Sequence, residues 1–480
     1  MRLDDLVDVR VEELRRRIEG LDRELQAWVK RCTDDLRLQA NFSQITAVHV
    51  LVDEFIQQQR VSVQKIAAGA TFAEDAYVLA DDIARAQGVW DFFRDKLELR
   101  FNPDFQPRVA IADTVAWSCY MPVLERAVAA GLLEKDSLRE PPLTYLGARL
   151  YARTFEKGSQ PFEHGAYLLE ESHSLPIPVI ELPWDNLANL WELLAIPHEV
   201  AHDLEADLGL QQPLDEALAK ALDAAGAPEE RRAVWGTWRP EVYADLVAMQ
   251  LAGPPFGEYL IHLLLVPQAE AITVTENDPS HPAPFVRILM ASHYAKTLVG
   301  GGKAAAALAV DATALEAQWR AVYPATPNAN PAAGLVDPLI GDIPVVAAAL
   351  MDTGLPSLKG ATVRSLMPYL PADDARLRSA AAKLAAGQVP PDKAPPRLCV
   401  SAARRAVAII GAARKGEELG PALADLDRCA QRYVEANTPP GVRAITTRAR
   451  GEYIQSFVER IRQTCVVLRP DPRRPVVRIP

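Results

Sequence analysis

The hydrophobic residues of positions 5–60 recur at spacings of three and four, which is the period of an α-helix. Between positions 11 and 32 they form a continuous seam, with charged residues in the outward positions. The seam consists of Val11, Leu14, Ile18, Leu21, Leu25, Trp28 and Cys32. Its length of about three heptads predicts one helix of a helical hairpin, with a second helix over roughly 45–67 folding back on it. A homodimer through residues 11–32 is the alternative, although a coiled coil this short is marginal by itself.

Helical periodicity continues beyond this hairpin. It covers residues 72–97 and roughly 109–155, and it returns around 345–352, 373–387, 399–418, 420–437 and 445–467. The pattern changes at 174–183, where β-branched residues are bounded by prolines. This change predicts a short strand over about 177–182, which the prolines confine to a sheet edge or to the strand's own ends. The fold class is therefore expected to be mostly α, with a small β-sheet edge.

Proline-rich breaks divide the chain into four expected parts. A helical N-terminal region with the coiled-coil-like hairpin covers 1–155, and a central region covers 156–300. Residues 301–344 read as a linker, because prolines and glycines are frequent over 324–344. A helical C-terminal region covers 345–480 and ends in a basic, proline-rich tail over 469–480.

The composition is that of a water-soluble globular protein. The chain has 480 residues, of which 49% are hydrophobic and 24% are charged, and its formal net charge is −11. This acidic balance argues against a nucleic-acid partner, because acidic surfaces repel a phosphate backbone. No apolar stretch approaches the roughly 20 residues of a membrane span, so no membrane insertion is expected. The five dispersed cysteines are typical of reduced thiols and favour a cytoplasmic location.

The segment that carries chemistry is His198-Glu199-Val200-Ala201-His202, an HExxH motif. On a helix, two histidines four residues apart lie on one face, and both imidazoles can reach one tetrahedral Zn²⁺ at about 2.0–2.1 Å. Glu199 follows the first ligand directly, so it can act as general base toward the water that the metal activates. Two histidines on a helix face with a solvated glutamate between them are the simpler interpretation. The three acidic residues at 203, 205 and 207 are expected to form a solvated helix end, with a structural Ca²⁺ as the lesser alternative.

A catalytic zinc site needs a third protein ligand, and the sequence offers one downstream. Glu241 and Asp245 lie four residues apart in a segment where Thr237 and Pro240 suit a helix start and Gly253 suits a stop. Glu241 fits a metal ligand, while Asp245 fits the carboxylate that accepts the spare N–H of a ligating histidine. An ordinary acidic helix start is one alternative, and Asp245 as the ligand is another.

HExxH followed by ExxAD, as in residues 198–202 and 241–245, resembles the gluzincin metallopeptidases. A histidine–proline segment ending in Arg-Ile at 280–288 is similar to one in the HtpX-like and CAAX prenyl endopeptidase family. The resemblance covers roughly residues 180–290 of this chain. It does not extend to the membrane spans of that family. It implies a zincin-like core with His198, His202 and Glu241 as zinc ligands and Glu199 as base. It also implies that His281 donates to the transition-state oxyanion and that Arg287 is a structural or oxyanion-side partner, while Tyr243 and Tyr294 are rival donors.

The function expected from these features is a zinc-dependent metallopeptidase, a hydrolase that acts on protein or peptide substrates through metal-activated water. The substrate is expected to bind extended along the edge strand, as peptides add to sheet edges. Two alternatives stay open. One is a helical scaffold or interaction protein with an inactive zincin core, and the other is a zinc amidase that acts on a non-peptide amide.

Overall fold

The computed structural model describes residues 3–66, 69, 71–134, 140–147, 151–155, 177–272, 280–324 and 333–439. The helix expected over 445–467 and the basic tail over 469–480 lie outside the described residues. Within them the protein is mostly helical with one small sheet, as the periodicity predicts.

The helices and strands follow one another in a simple order. The N-terminal helices are α1 (Leu3–Asp34), α2 (Phe42–Val63), α3 (Phe72–Glu98) and α4 (Gln106–Ala129), and the strands are β1 (Leu143–Gly147), β2 (Arg153–Phe155) and β3 (Val179–Pro183). The central helices are α5 (Ala195–Asp207), α6 (Gln211–Ala224), α7 (Glu229–Ala252), α8 (Pro255–Leu263), α9 (Gln268–Ala271) and α10 (Pro284–Ala295). The later helices are α11 (Gly302–Val322), α12 (Ala333–Asp352), α13 (Val363–Leu366), α14 (Pro371–Ala385), α15 (Pro396–Ala413) and α16 (Leu419–Asn437).

The N-terminal helices form a bundle whose core is the hydrophobic seam. The residues from Leu14 to Cys32 that repeat at helical spacing are buried, and α1 packs against α2 and α3 of the same chain. The intramolecular hairpin is therefore the arrangement that occurs. A homodimer through residues 11–32 would have to replace these contacts, and it stays a prediction.

The sheet differs from its expected form in two ways. β3 lies in the centre, parallel to β1 and antiparallel to β2, so its predicted edge position was wrong. Its prolines instead obey the other constraint, since Pro178 precedes the strand and Pro183 ends it. Residues 130–155 were expected to be helical, but α4 ends at Ala129, and β1 and β2 follow. A left-handed Gly131, with φ of 68°, terminates the helix.

A buried ion pair joins the bundle to the sheet. The guanidinium of Arg100 binds both carboxylate oxygens of Asp113 on α4 at 2.8 Å and donates to the backbone oxygen of Thr144 on β1 at 2.8 Å. The backbone N–H and the hydroxyl of Thr144 both donate to Asp113. The two buried charges are paired and hydrogen-bonded, so neither is left alone in apolar surroundings. The bonds to Thr144 fix the position of β1.

The expected linker over 301–344 is helical over most of its described length. Four consecutive alanines at 304–307 favour α11, because alanine has the highest helix propensity. α12 contains Pro338 and Pro344, yet it packs against α6 and α10. Tertiary burial therefore outweighs the local cost of the prolines. The central helices and α11–α16 share one hydrophobic core, so the C-terminal region packs directly on the central one.

α12 also overlaps a membrane-span candidate. In the described part of the chain, Pro338–Leu358 is the one segment long and apolar enough to cross a bilayer, by length and composition only. Half of that window is buried inside the protein, and the core helix of a soluble protein passes the same test. The expectations of no membrane insertion and of a cytoplasmic location stay predictions.

Candidate metal centre

α5 presents the HExxH motif to a cleft. A turn of 3₁₀-helix at Leu190–Leu194 leads into α5, so Pro197 falls in the first helical turn, where its missing N–H removes no intrahelical hydrogen bond. His198 and His202 then lie one turn apart, with ring centroids 5.1 Å from each other at an angle of 81°. The motif therefore forms two adjacent imidazoles on one face, as its spacing predicts.

α7 brings the acidic pair to the same cleft. The helix begins at Glu229, earlier than the start predicted near Thr237, and Pro240 lies inside it. Its end is the one predicted, because Gly253 adopts a left-handed conformation with φ of 76°. A side chain at Gly253 would also collide with Tyr369. Both the backbone conformation and the lack of space therefore require glycine at this position. α7 packs on α5, and this packing places Glu241 opposite the histidines.

Three side chains converge in the geometry of a metal site. The Nε2 atom of His198 lies 3.2 Å from one oxygen of Glu241, and Nε2 of His202 lies 3.6 Å from the other. One ligand atom from each of the three residues lies within 4.8 Å of the others. Ligands at about 2.0–2.2 Å from a tetrahedral zinc are separated by roughly 3.3 Å, so the spacing fits that ion.

The hydrogen-bonding state of Glu241 supports the same conclusion. Its Oε2 atom is buried and has no hydrogen-bond partner of good geometry, although His198 Nε2 is only 3.2 Å away. A buried carboxylate oxygen without a partner is costly. A divalent cation between the oxygen and the imidazoles would satisfy both kinds of atom, because each of them carries a lone pair.

A second carboxylate orients His198. Asp245 lies one turn along α7 from Glu241, and its Oδ1 is 2.9 Å from Nδ1 of His198. The guanidinium of Arg287 on α10 donates twice to Asp245, with both distances 2.8 Å. With a single proton on Nδ1, the Nε2 lone pair of His198 would be free to bind a metal. Arg287 is therefore connected to His198 through Asp245.

Burial and the charges of the site together shift the pKa values of the two histidines in opposite directions. Burial lowers the pKa of His198, but the adjacent carboxylates of Asp245 and Glu241 outweigh burial and raise it to about 10. Burial lowers the pKa of His202 to about 4. Burial raises the pKa of Glu241, but the neighbouring imidazoles hold it well below its usual range. These charges favour a second proton on His198, and that proton competes with a cation for Nε2.

Zinc binding should therefore release at least about one proton at pH 8, because the His198 proton must leave before Nε2 can bind the metal. The affinity should weaken as pH falls, since protons compete for the same nitrogen. Titration calorimetry in two buffers with different ionisation enthalpies measures the number released. Release of no proton at pH 8 would contradict this account of His198.

Glu199 is buried at the base of the cleft. Burial raises the pKa of its carboxyl to about 7, and the positive charge of His198 and a backbone hydrogen bond from Thr154 oppose this rise. A carboxyl with a pKa near neutrality is well suited to take up a proton and give it back. The position is the one that the motif predicts for a general base.

His281 lies at the rim of the same cleft. Its Nε2 is 3.3 Å from Oε2 of Glu241, its Nδ1 is 3.1 Å from the hydroxyl of Ser280, and its side chain is 45% exposed. The structure therefore brings His281 to the candidate centre from the segment before α10. An exposed N–H this close to the ligands can face a bound carbonyl oxygen.

The two tyrosines proposed as rival donors lie elsewhere. Tyr243 is fully buried on α7, and Tyr294 is fully buried on α10, where its hydroxyl donates to Gln250 at 2.7 Å. Neither lines the cleft. Sequence reasoning missed two aromatic residues on α8 that do line it: Phe256, which stacks on His198, and Tyr259. Their spacing of three was the available signal, since it places both on one helical face.

The cleft is large enough for part of a peptide, with a volume of about 540 Å³. One wall is formed by the end of the sheet, and another is formed by α8 and the residues after it. The first wall comprises Tyr151, Ala152, Arg153 and Thr154, and the second comprises Phe256, Tyr259, Leu260, Leu263, Leu264 and Val266. β2 is an edge strand, so the edge that borders the cleft belongs to β2 and not to the strand predicted for that role.

The acidic residues after the HExxH motif are not solvated, contrary to expectation. Asp203, Glu205 and Asp207 are all buried. Glu205 pairs with Arg239, Asp207 accepts from the hydroxyl of Tyr120, and Asp203 accepts from Thr154. Neighbouring helices and β2 cover this part of α5, so each carboxylate has a donor. Nothing in the sequence predicted that these three side chains are buried, because acidic residues are usually exposed.

Comparisons of the chain with protein-family models, with curated proteins and with solved structures each found no match. The resemblance to gluzincins therefore rests on the motifs of the sequence alone.

Proposed function

We propose that this protein is a zinc-dependent metallopeptidase. The observation that supports it best is the convergence of His198, His202 and Glu241, with a buried oxygen of Glu241 that has no hydrogen-bond partner. Glu199 adjoins this cluster with a pKa near neutrality. Three protein ligands beside an accessible cleft are typical of catalytic zinc sites, whereas structural sites have four protein ligands.

Each residue has a role in this proposal. A bound Zn²⁺ would polarise the scissile carbonyl and lower the pKa of a water molecule toward about 7. Glu199 takes the proton of the attacking water and later passes it to the leaving amine. Asp245 and Arg287 keep the Nδ1–H of His198 in place, so that Nε2 stays available as a ligand. His281 donates a hydrogen bond to the negative charge that develops on the carbonyl oxygen.

The substrate in this proposal is an extended peptide. The edge of β2 borders the cleft, and main-chain groups of a peptide pair with such an edge. Apolar residues of α8 line the same cleft, so a bound peptide would contact them as well. The zincin-like core, the peptide partner and the identity of the metal are all part of the proposal.

Elemental analysis tests the metal centre directly. We expect about one zinc per chain in the wild-type protein and far less in His202→Ala, because losing a ligand costs more than the roughly 10–100-fold affinity lost with an outer hydrogen-bond partner. His293→Ala is the matched control, since His293 on α10 does not line the cleft. Equal zinc in wild type and His202→Ala would contradict the site.

Digestion of casein and of a mixed peptide library then tests the reaction. Cleavage by the zinc-loaded protein, lost on chelation and restored by added zinc, supports a peptidase. Stoichiometric zinc without cleavage of any peptide favours the amidase that acts on a non-peptide bond. Absence of zinc favours the scaffold protein with an inactive core.

A further inference from the structure

The two faces of α8 have different surroundings. One face lines the cleft through four residues whose spacings of three and four place them together: Phe256, Tyr259, Leu260 and Leu263. Glu258 lies two positions after Phe256, so it is turned by about 200° around the helix axis from that residue. The apolar face of α8 therefore borders the candidate metal centre, while Glu258 is directed toward the C-terminal region.

Two consecutive arginines of α15 bind Glu258. The guanidinium of Arg405 donates to the carboxylate of Glu258, and that of Arg404 donates to the backbone oxygen of Glu258 at 2.8 Å. The side chains of Arg405 and Glu258 are only 19% and 16% exposed, and Arg404 is buried. Because a partly buried ion pair is screened less than a surface pair, the attraction between Arg405 and Glu258 is expected to matter for the position of α8.

The same arginines also contact other elements around the cleft. Arg405 binds Asp311 of α11 in addition to Glu258. Nη1 of Arg404 lies 3.5 Å from Oε1 of Glu192, in the 3₁₀ turn that leads into the HExxH helix. α15 is therefore connected to α8, to α11 and to the segment that precedes α5.

α8 depends on such contacts for its position. It has nine residues, and helices of this length are marginal without tertiary contacts. A peptide bound against the apolar face of α8 gains binding energy only while that face is held in place. The contacts of Glu258 on the opposite face therefore contribute to fixing this wall of the cleft.

We propose that the ion pair of Arg405 and Glu258 holds α8 in the position where its apolar face binds the substrate. The inference rests on the proposed peptidase function, and it makes the C-terminal region part of the substrate-binding structure. Neither residue lines the cleft, so both are positioning residues that act through α8.

Loss of this ion pair should affect substrate binding more than turnover. Arg405→Leu removes the guanidinium that binds Glu258 and leaves the zinc ligands untouched. KM should rise by about tenfold, since a misfit of one methylene group in an apolar pocket costs roughly 10–200-fold. kcat should change by less than about threefold, because losing contacts that are equal in the ground and transition states raises KM alone.

Further variants separate positioning from a general loss of stability. Glu258→Leu leaves Arg405 paired with Asp311 and should raise KM as Arg405→Leu does. The double variant should be no worse than either single one, since both substitutions remove the same interaction. Glu258→Gln keeps an accepting oxygen and should reverse most of the rise in KM. Arg364→Leu is the control, because Arg364 pairs with Asp352, has a similar exposure of 22% and does not line the cleft.

Zinc content, melting temperature, kcat and KM are measured for every variant with a casein-derived peptide, and mass spectrometry follows hydrogen exchange of the α8 amides. Raised KM with normal zinc and faster exchange in α8 supports the proposal. If Arg405→Leu does not fold, the contrast between Glu258→Leu and Glu258→Gln decides instead. Unchanged KM in both leucine variants, or an equal rise in Arg364→Leu, overturns it. A zinc-loaded wild type that cleaves nothing contradicts the proposed function itself, and exchange in α8 then decides whether the ion pair holds the helix.

Discussion

Replacing Glu199 with glutamine is expected to lower turnover by a factor of about 10²–10⁴ and to leave zinc in place. The amide of glutamine has nearly the same size as the carboxyl group, but it cannot take a proton from water. Because Glu199 is not one of the three converging ligand residues, the metal affinity should change little. The variant thus separates the base from the metal centre.

The measurement combines kcat and KM on the best casein-derived peptide with zinc content by elemental analysis. Glu216→Gln is the control, since it makes the same chemical change on an exposed position of α6. We expect the control to match the wild type in both readouts. A Glu199→Gln protein with unchanged turnover would show that the cleavage, if present, does not use this carboxylate.

Removing the carboxylate of Asp245 is expected to destabilise the folded protein by about 3–5 kcal/mol, because it leaves the Arg287 guanidinium buried without its partner. Arg287 is 7% exposed, and its guanidinium donates two hydrogen bonds to Asp245. The same substitution frees Nδ1 of His198, so zinc affinity should fall by roughly 10–100-fold as well. Asp245→Ala therefore affects stability and metal binding together.

Urea unfolding measures the first effect, and competition with a chromogenic chelator measures the second. Glu12→Ala is the comparison, since Glu12 forms ion pairs with Arg15 and Arg16 on the exposed face of α1. The free energy of unfolding should hardly change there, because water already solvates those charges. Asp245→Asn serves as a milder variant if Asp245→Ala does not fold. A loss of stability no larger than that of Glu12→Ala would contradict the role assigned to the buried pair.

The helices with strong hydrophobic periodicity were predictable from the sequence. The seam of α1 repeats at spacings of three and four, and such a pattern specifies a buried face whatever the partner is. The end of α7 was predictable for a similar reason, because Gly253 can adopt the left-handed conformation without strain. In both cases the information lies within a few residues.

Other elements depended on contacts that are distant in sequence. α12 contains two prolines, so its sequence reads as a linker, but burial against α6 and α10 stabilises the helix. β3 carries prolines at its ends, and nothing local distinguishes an edge strand from a central one bounded in this way. The partners β1 and β2 decide that question, and they lie in a segment that was expected to be helical.

The same distinction between local and long-range information applies to the candidate site. The sequence by itself determined that His198 and His202 share a helix face and that Glu241 and Asp245 share another, because helical spacing is a local property. Only the tertiary structure decided that the two faces meet, that Asp203 is buried on β2, and that Phe256 rather than Tyr243 borders the cleft. Those outcomes depend on how helices pack across many intervening residues, and no local spacing encodes that packing.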